Sequence, residues 1–159
     1  MSLFLKQHED QLELLVHYQV KFLLIGGYAV NLYGYTRVTG DIDIWLEPSD
    51  TNRDSFVSML KEMKFTPESI NYISGLDFKV AHAFHIGQSP FQVDFLTKVS
   101  GVDFHAAWKR KKEFALENFS LPVISFEDLI LSKFNTDRLK DKLDVEELQK
   151  VARLERKKD

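Results

Sequence analysis

The stretch Phe22–Leu46 reads FLLIGGYAVNLYGYTRVTGDIDIWL and holds the most informative pattern in the chain. Its first four residues are apolar, which predicts a buried strand. The pair Gly26–Gly27 separates this strand from a short helix predicted over Tyr28–Tyr33, and Gly34 can end that helix in a left-handed conformation. A polar loop then leads to a second predicted strand, Asp41–Leu46. The stretch therefore predicts a strand–helix–strand unit with a glycine turn.

The second predicted strand alternates between apolar and acidic residues. Ile42 and Ile44 point into a core on one face. Asp41, Asp43 and Trp45 point toward the opposite face. The two aspartates have Cα atoms about 6.5–7 Å apart, and their carboxylates can converge on two divalent cations about 3.5–4 Å apart. Because strands disfavour aspartate, the pattern indicates a metal site; the alternative is a solvent-facing edge strand with two exposed acids.

The glycine pair can also serve a ligand. Between a strand and a helix, glycine lets the backbone approach a ligand closely, and the first amides of the helix favour an anion such as phosphate. The alternative is an ordinary tight turn. A phosphate-binding turn followed by a strand with two carboxylates is a much rarer combination, which favours the functional interpretation.

Three motifs together resemble a known superfamily. IGG at residues 25–27, followed after thirteen residues by DIDI at 41–44, resembles the motif of the DNA polymerase β-type nucleotidyltransferases. That superfamily has a third carboxylate on a later strand, and Asp94 in FQVDFL (residues 91–96) is similar to it. RVTGDID at residues 37–43 is similar to small bacterial proteins of the AbiEii toxin and minimal nucleotidyltransferase type. The resemblance covers about residues 22–96.

The resemblance implies an α/β (α+β) fold with a small mixed β-sheet, flanking helices and a helical C-terminal part. We expect one nucleotidyltransferase domain over residues 1–159, because the sequence has no internal repeat, low-complexity segment or linker. Within it, residues 1–20 are predicted to hold the N-terminal helix, residues 21–100 the catalytic sheet core, and residues 101–159 a mainly helical part.

The resemblance also implies a reaction. A nucleoside monophosphate would pass from an NTP to a hydroxyl of tRNA, a protein or a small molecule, with two Mg²⁺ ions (Mn²⁺ as a substitute) and release of pyrophosphate. Asp94 is the candidate for deprotonating the acceptor, the glycines would hold the β- and γ-phosphates, and cations would offset the triphosphate charge. The residues assigned to this chemistry are Asp41, Asp43 and Asp94 as catalytic residues and metal ligands, and Gly26, Gly27, Arg37, Thr39 and Lys133 as nucleotide-binding residues.

Two stretches in the C-terminal part have alternative interpretations. Lys133 followed by Arg138, Lys140, Asp141 and Asp144 is similar to a pattern of the AbiEii-like proteins; the alternative for residues 138–144 is surface salt bridges on a helix. Lys133 lies among apolar residues, so its helix should pack near the site. The basic run at residues 109–112 is predicted to be a solvated helix face, or else a surface for RNA or another polyanion.

Bulk properties exclude several classes of protein. The chain has 159 residues, 44% hydrophobic and 28% charged, and these values are typical of a globular domain. It contains no cysteine, which excludes disulfides and thiolate sites, and its net charge of −3 gives no general sign of nucleic-acid binding. No apolar run is long enough to span a bilayer, and the N-terminus does not resemble a signal peptide. We therefore expect a cytoplasmic protein that does not bind membranes.

Two other functions remain open from sequence alone. A sugar transferase can also use an Asp-x-Asp pair to hold a metal-bound nucleotide diphosphate, although the glycine spacing is then unexplained. The other function is that of a non-catalytic nucleotide-binding partner with a degenerate site. The resemblance to AbiEii-like proteins implies that such a partner could belong to a toxin–antitoxin system.

Further elements are predicted from periodicity and turn residues. The first helix contains His8, which is expected to have no catalytic role. The predicted elements are a helix over Leu3–Tyr18, a helix from Ser49 or Asp50 to Met63, a helical turn over Thr66–Tyr72, strands over Leu76–Ile86 and Phe91–Thr97 joined by a hairpin turn, a helix over Val102–Phe114, a turn or strand pair over Leu116–Ser120 and Pro122–Ser125, and a helix capped by Ser125, interrupted at Asn135–Asp137 before a final helix.

Overall fold

The computed structural model describes residues 3–134 and 136–158. The described residues form one six-stranded sheet with the strand order β3-β4-β2-β1-β6-β5. The elements are α1 Lys6–His17, β1 Phe22–Ile25, α2 Gly26–Leu32, β2 Ile42–Leu46, α3 Asp50–Glu62, α4 Pro67–Ser74, β3 Ala83–Ile86, β4 Val93–Leu96, α5 Phe104–Arg110, β5 Lys112–Ala115, β6 Ser120–Val123, α6 Phe126–Phe134 and α7 Leu139–Arg156.

The sheet is mixed. Strands β1 and β2 are antiparallel, β2 and β4 are parallel, and β3 closes an antiparallel hairpin with β4. On the other side, β6 runs parallel to β1, and β5 pairs with β6 as an antiparallel edge strand. The predicted small mixed sheet with flanking helices is therefore confirmed.

Strand β2 is covered on both faces at its C-terminal end and open on one face at its start. Ile42 and Ile44 are fully buried, as predicted. Trp45 was expected to share the outward face with the aspartates, and it does, but α5 covers it there: its ring meets Phe104 at 5.1 Å and its indole N–H donates to the Thr97 carbonyl at 3.3 Å. Only the acidic end of that face remains open.

Two predicted elements were wrong in extent. The strand predicted over Leu76–Ile86 is reduced to β3, because Asp77 accepts a hydrogen bond from the Lys79 amide at 2.9 Å and turns the chain. The helix predicted over Val102–Phe114 ends at Arg110, and the following residues form edge strand β5. The sheet consequently extends beyond the predicted core of residues 21–100, since β5 and β6 both lie in the C-terminal part.

Helix boundaries follow local capping chemistry. The Ser49 side chain accepts from the Asn52 amide at the start of α3, and Ser125 accepts from the Asp128 amide near the start of α6, as predicted. Gly34 has φ +110 after α2, but α2 begins at Gly26 rather than Tyr28. The parts of the predictions that fall on Met1, Ser2, Asn135 and Asp159 lie outside the described residues. Within those residues, no helix has the length and apolar content to cross a membrane.

Candidate active site

Two of the candidate carboxylates lie side by side where β1 ends. Asp43 on β2 is in register with Ile25 of β1 and with Asp94 of β4. Paired residues on neighbouring strands point to the same face of a sheet, and neighbouring strands lie about 4.7–4.9 Å apart. Asp41, two residues earlier, shares that face, so all three carboxylates line one cleft.

The crowding of these carboxylates changes the titration of the central one. Burial, together with the negative charges of Asp94 and Asp41, raises the pKa of Asp43 to about 6. Lys133 and Arg138 act in the opposite direction without compensating for it. Asp43 therefore lacks sufficient positive charge around it in the protein alone.

The glycine pair makes room for side chains of the site. Gly26 has φ +69, and a Cβ there would overlap the Asp43 carboxylate and lie 2.9 Å from Asp43 Cβ. A Cβ on Gly27 would overlap the Thr39 hydroxyl and lie 3.2 Å from the Arg37 guanidinium. Both glycines are therefore required for the site to close around β2 and its preceding loop. Their predicted contact with phosphates stays a prediction.

Two carboxylates of the cleft accept hydrogen bonds from neighbouring side chains. The Ser89 hydroxyl, on the turn between β3 and β4, donates to Asp41 Oδ1 at 3.2 Å. The Gln92 amide donates to Asp94 Oδ1 at 2.8 Å. Neither donor was identified from the sequence, because only the hairpin register places them beside the aspartates.

Arg37 and Lys133, predicted to bind the triphosphate, are engaged with buried acids of α7. Arg37 forms a bidentate pair with Asp144 at 2.7 and 2.9 Å. Lys133 donates to Asp144 at 2.9 Å and to Asp141 at 3.0 Å. Asp144 is 0% exposed and Asp141 is 6% exposed, so the alternative of surface salt bridges is wrong for both. The four side chains, with the Thr136 hydroxyl on Asp141, form what we call the charged network.

The pKa values of the two acids in the charged network are shifted in the opposite direction to that of Asp43. Burial alone would raise the pKa of Asp144, but hydrogen bonds from Arg37 and Lys133 outweigh it and lower the pKa. The pKa of Asp141 is likewise lowered, because Thr136 and Lys133 outweigh burial. These acids stay ionised and are matched by cations.

Two other cations reach the cleft from the start of α7. Arg138 and Lys140 both line it and are exposed to solvent, with 70% of the Arg138 side chain accessible. Arg138 has one distant ion pair, with Asp141 at 3.8 Å. Positive charge that can move toward a ligand is therefore supplied by these two residues rather than by the charged network.

The basic run at residues 109–112 is not a continuous helix face. It crosses the end of α5 and the start of β5. Arg110 forms a bidentate pair with buried Asp128, with both distances 2.9 Å. The Lys111 ammonium lies 4.2 Å from the centre of the Trp108 ring. Half of the run is therefore engaged in packing α5.

The cleft has a volume of about 250 Å³ and is strongly polar. Its donors are carboxylate oxygens, which are the ligands that Mg²⁺ prefers. Within residues 3–134 and 136–158, no three acidic or histidine side chains are close enough to enclose an ion by themselves. Mg²⁺ sites that are completed by a substrate usually take one or two carboxylates from the protein, and phosphates and water supply the remaining ligands. The lining residues are Gly26, Gly27, Arg37, Thr39, Gly40, Asp41, Asp43, Asp94, Lys133, Arg138, Lys140 and Asp141.

Comparisons with known proteins give a family and a fold for the chain. A family model described as "Nucleotidyl transferase of unknown function (DUF2204)" matches residues 5–159. No curated protein sequence matches the chain significantly. Among solved structures, the chain is similar to the lincosamide antibiotic adenylyltransferase LnuA in its lincomycin-bound form, with a TM-score of 0.55 and 17% identity over 95% of this chain and 99% of that one. At that identity the structural similarity shows the fold alone.

Proposed function

The chain belongs to this family of nucleotidyl transferases, and from that premise we propose that it transfers a nucleoside monophosphate from a metal-bound NTP to a hydroxyl group, with release of pyrophosphate. The proposal extends the family description by naming the donor, the metal dependence and the leaving group. It assigns the chemistry to the cleft beside Gly26.

One observation supports the proposal most strongly: Asp43 and Asp94 are in register on neighbouring strands, beside Gly26 and in the same cleft as Asp41. Burial of Asp43, together with repulsion from Asp94 and Asp41, raises its pKa, so its charged form is disfavoured in the protein alone. A structural role would be served better by neutral side chains. The arrangement is therefore explained by an external cation that arrives with the substrate.

We assign the following roles to the chain's own residues. Asp41, Asp43 and Asp94 would hold Mg²⁺, or Mn²⁺, which when bound neutralises the leaving pyrophosphate and lowers the pKa of the attacking hydroxyl. Asp94 accepts the acceptor's proton, and its hydrogen bond from Gln92 keeps its carboxylate oriented beforehand. Gly26 and Gly27 leave backbone amides close to the phosphates.

The cations divide into two groups in this proposal. Arg138 and Lys140, exposed at the rim, attract the triphosphate and contact it. Arg37 and Lys133 stay with Asp144 and Asp141, and they hold the Thr39 loop and α6 against the cleft. The sequence predicts Arg37 and Lys133 on the triphosphate; in this proposal they act on it indirectly, and the charge of Lys133 lowers the pKa of Asp43.

The acceptor belongs to one of three classes: tRNA, a protein hydroxyl or a small molecule. The neighbour of similar fold is named for a small-molecule acceptor, a lincosamide antibiotic, which motivates including such compounds in a screen. A role in a toxin–antitoxin system and a cytoplasmic location stay predictions. Growth arrest on induction of the wild-type chain, but not of the Asp43→Asn variant, would support the toxin prediction.

Calorimetry with each nucleoside triphosphate, with and without Mg²⁺, tests the proposal. We expect binding only with Mg²⁺, because three carboxylates beside a triphosphate are strongly repulsive without a divalent cation. A parallel assay follows pyrophosphate release in the presence of cell extract, with Asp43→Asn as the inactive control.

Equal binding of a sugar nucleotide diphosphate would support the sugar-transferase alternative instead. Metal-dependent binding without pyrophosphate release would indicate a non-catalytic nucleotide-binding partner. Absence of any metal-dependent nucleotide binding would overturn the proposed function.

A further inference from the structure

Ser89 places a hydroxyl group of the chain itself beside Asp41, at the edge of the candidate active site. Its Oγ donates a hydrogen bond of 3.2 Å to Asp41 Oδ1. Within the described ranges 3–134 and 136–158, no other hydroxyl hydrogen-bonds to Asp41, Asp43 or Asp94. The residue is exposed, so nothing in the described residues covers it from solvent. A nucleophile within hydrogen-bond reach of a base is the arrangement that precedes attack by a hydroxyl.

The turn that carries Ser89 is fixed at both ends. Gly87 has φ +78, and the Phe91 amide donates to the Gln88 carbonyl at 2.8 Å across the turn. Directly after the turn, the Ile42 amide donates to the Gln92 carbonyl at 3.2 Å, which ties the hairpin to β2. The position of Ser89 beside Asp41 is therefore set by the fold and not by the side chain alone.

The hydroxyl of Thr39, which lines the cleft, is placed differently. Thr39 packs on the Cα of Gly27, on the side of the cleft away from β4. Its hydroxyl makes no hydrogen bond to the three carboxylates within the described residues. Ser89, by contrast, lies at the β3–β4 end, where the acceptor would approach Asp41 and Asp94.

We propose that Ser89 is itself an acceptor, so that the chain transfers one nucleoside monophosphate onto its own serine. This inference rests on the proposed function. The Ser89 Oγ forms a bond to the α-phosphorus of the NTP while the bond from that phosphorus to the bridging oxygen of the β-phosphate breaks. Pyrophosphate leaves with the electron pair. The hydroxyl proton passes to Asp41, which takes the place of Asp94 for this acceptor because it is the hydrogen-bond partner of Ser89, and then to solvent. The product is a serine phosphodiester.

The nucleotide attached to Ser89 would block further transfer by the same chain. The cleft is only about 250 Å³, so a nucleotide attached at its mouth would occupy the space needed by the next NTP. Each chain would react once, and the rate per chain would not depend on protein concentration, because donor site and acceptor lie in one molecule. Self-modification would then lower transfer to any external acceptor.

The test incubates the purified full-length chain with Mg²⁺ and each nucleoside triphosphate labelled at the α-phosphorus, without any other acceptor. We expect up to one label per chain, mapped by peptide mass spectrometry to Ser89, at a rate that does not change over a tenfold range of protein concentration. Ser89→Ala should lose the label, and Ser89→Thr, which keeps a hydroxyl, should regain part of it. Ser74 is an exposed helical serine that neither lines the cleft nor hydrogen-bonds to its carboxylates, so Ser74→Ala is the matched control and should be labelled like the wild type.

The outcomes separate the two proposals. If calorimetry shows Mg²⁺-dependent NTP binding and extract supports pyrophosphate release, but the chain alone takes up no label, this inference is overturned and the proposed function stands. Label that persists in Ser89→Ala also overturns it. If the wild-type chain shows neither nucleotide binding nor label, the proposed function and this inference are both overturned.

Discussion

Two acidic clusters lie next to each other, one lining the cleft and one buried behind it except for Asp141, and they have opposite electrostatic surroundings. Asp141 and Asp144 are buried against Lys133 and Arg37, and their pKa values are lowered. Asp43, between Asp41 and Asp94, has its pKa raised to about 6. Aspartate side chains on α7 are thus paired with cations, whereas the aspartate side chain on β2 is not. An acid that the fold leaves without a partner is the better candidate for binding an external cation.

The largest effect should come from breaking the satisfied cluster. Asp144→Ala leaves the Arg37 and Lys133 charges partly buried without their shared partner, and we expect a loss of about 3–5 kcal/mol in the free energy of unfolding. Urea denaturation measures it. Glu147→Gln, which removes a surface pair with Lys150 at 3.2 Å, is the control and should change stability by less than about 1 kcal/mol. Comparable small losses in both variants would show that the network is not structural.

Removing a charge from the cluster of Asp41, Asp43 and Asp94 should raise the free energy of unfolding instead of lowering it. Because the folded-state pKa of Asp43 is raised above its ordinary 3.8, its contribution to stability is fully present below that value and is lost as pH rises through about 6. Asp43→Asn should therefore be more stable than the wild type at pH 8, by about 1–3 kcal/mol, with the difference vanishing near pH 4. Thermal or urea denaturation across that pH range, without divalent cations, measures it. A variant that is less stable at pH 8 would mean that Asp43 is structural.

Arg138 and Lys140, the exposed cations at the rim of the cleft, should affect the binding of Mg²⁺–NTP but not the stability of the fold. Arg138→Ala should weaken Mg²⁺–NTP binding by about 1 kcal/mol, since one exposed charged contact is lost, and should leave the unfolding free energy within about 0.5 kcal/mol of wild type. Lys133→Ala should instead lower stability, because it leaves Asp141 and Asp144 short of a partner. Calorimetry and denaturation on both variants separate the roles. Equal losses of binding with unchanged stability would return Lys133 to the triphosphate site.

The smallest effect concerns a buried imidazole next to the site. His8 is 0% exposed, and its ring lies edge-on to Tyr28 and Phe91; neither ring nitrogen has a well-formed hydrogen bond within the described residues. Burial lowers its pKa, although the nearby Phe91 backbone and Asp41 act against this. Stability should be full above the unfolded pKa, near 6.5, and decline as pH falls below it. His8→Phe should show a weaker decline in pH-dependent denaturation, and an unchanged decline would exclude His8 as its source.

The spacing of residues that are close in sequence was sufficient to predict the glycine pair and the cluster of three carboxylates. The glycine pair, the alternation of aspartate with isoleucine and the apolar flanks of Asp94 are patterns within a few residues, and the structure places these residues in one cleft. The covered position of Trp45 was missed because α5, which buries it, is distant in sequence.

The charged network could not be derived from the sequence. Arg37 and Asp144 are 107 residues apart, and periodicity gives no information on such pairs. On a helix, Asp141 and Asp144 look the same whether they face water or two cations; only the packing of α6 against α7 decides it. The same limit applies to Ser89, since the hairpin register sets its distance from Asp41.

A direct pKa measurement on the two clusters tests the central contrast. Side-chain carboxyl carbons can be followed by NMR as pH is varied, with Asp43 and Asp144 identified by the signals lost in Asp43→Asn and Asp144→Asn. We expect Asp43 to titrate at about 6 without metal and to move to lower pH on addition of Mg²⁺ and NTP, whereas Asp144 titrates below the ordinary value and does not respond. An ordinary pKa for Asp43 that is unaffected by Mg²⁺ and nucleotide would contradict the account.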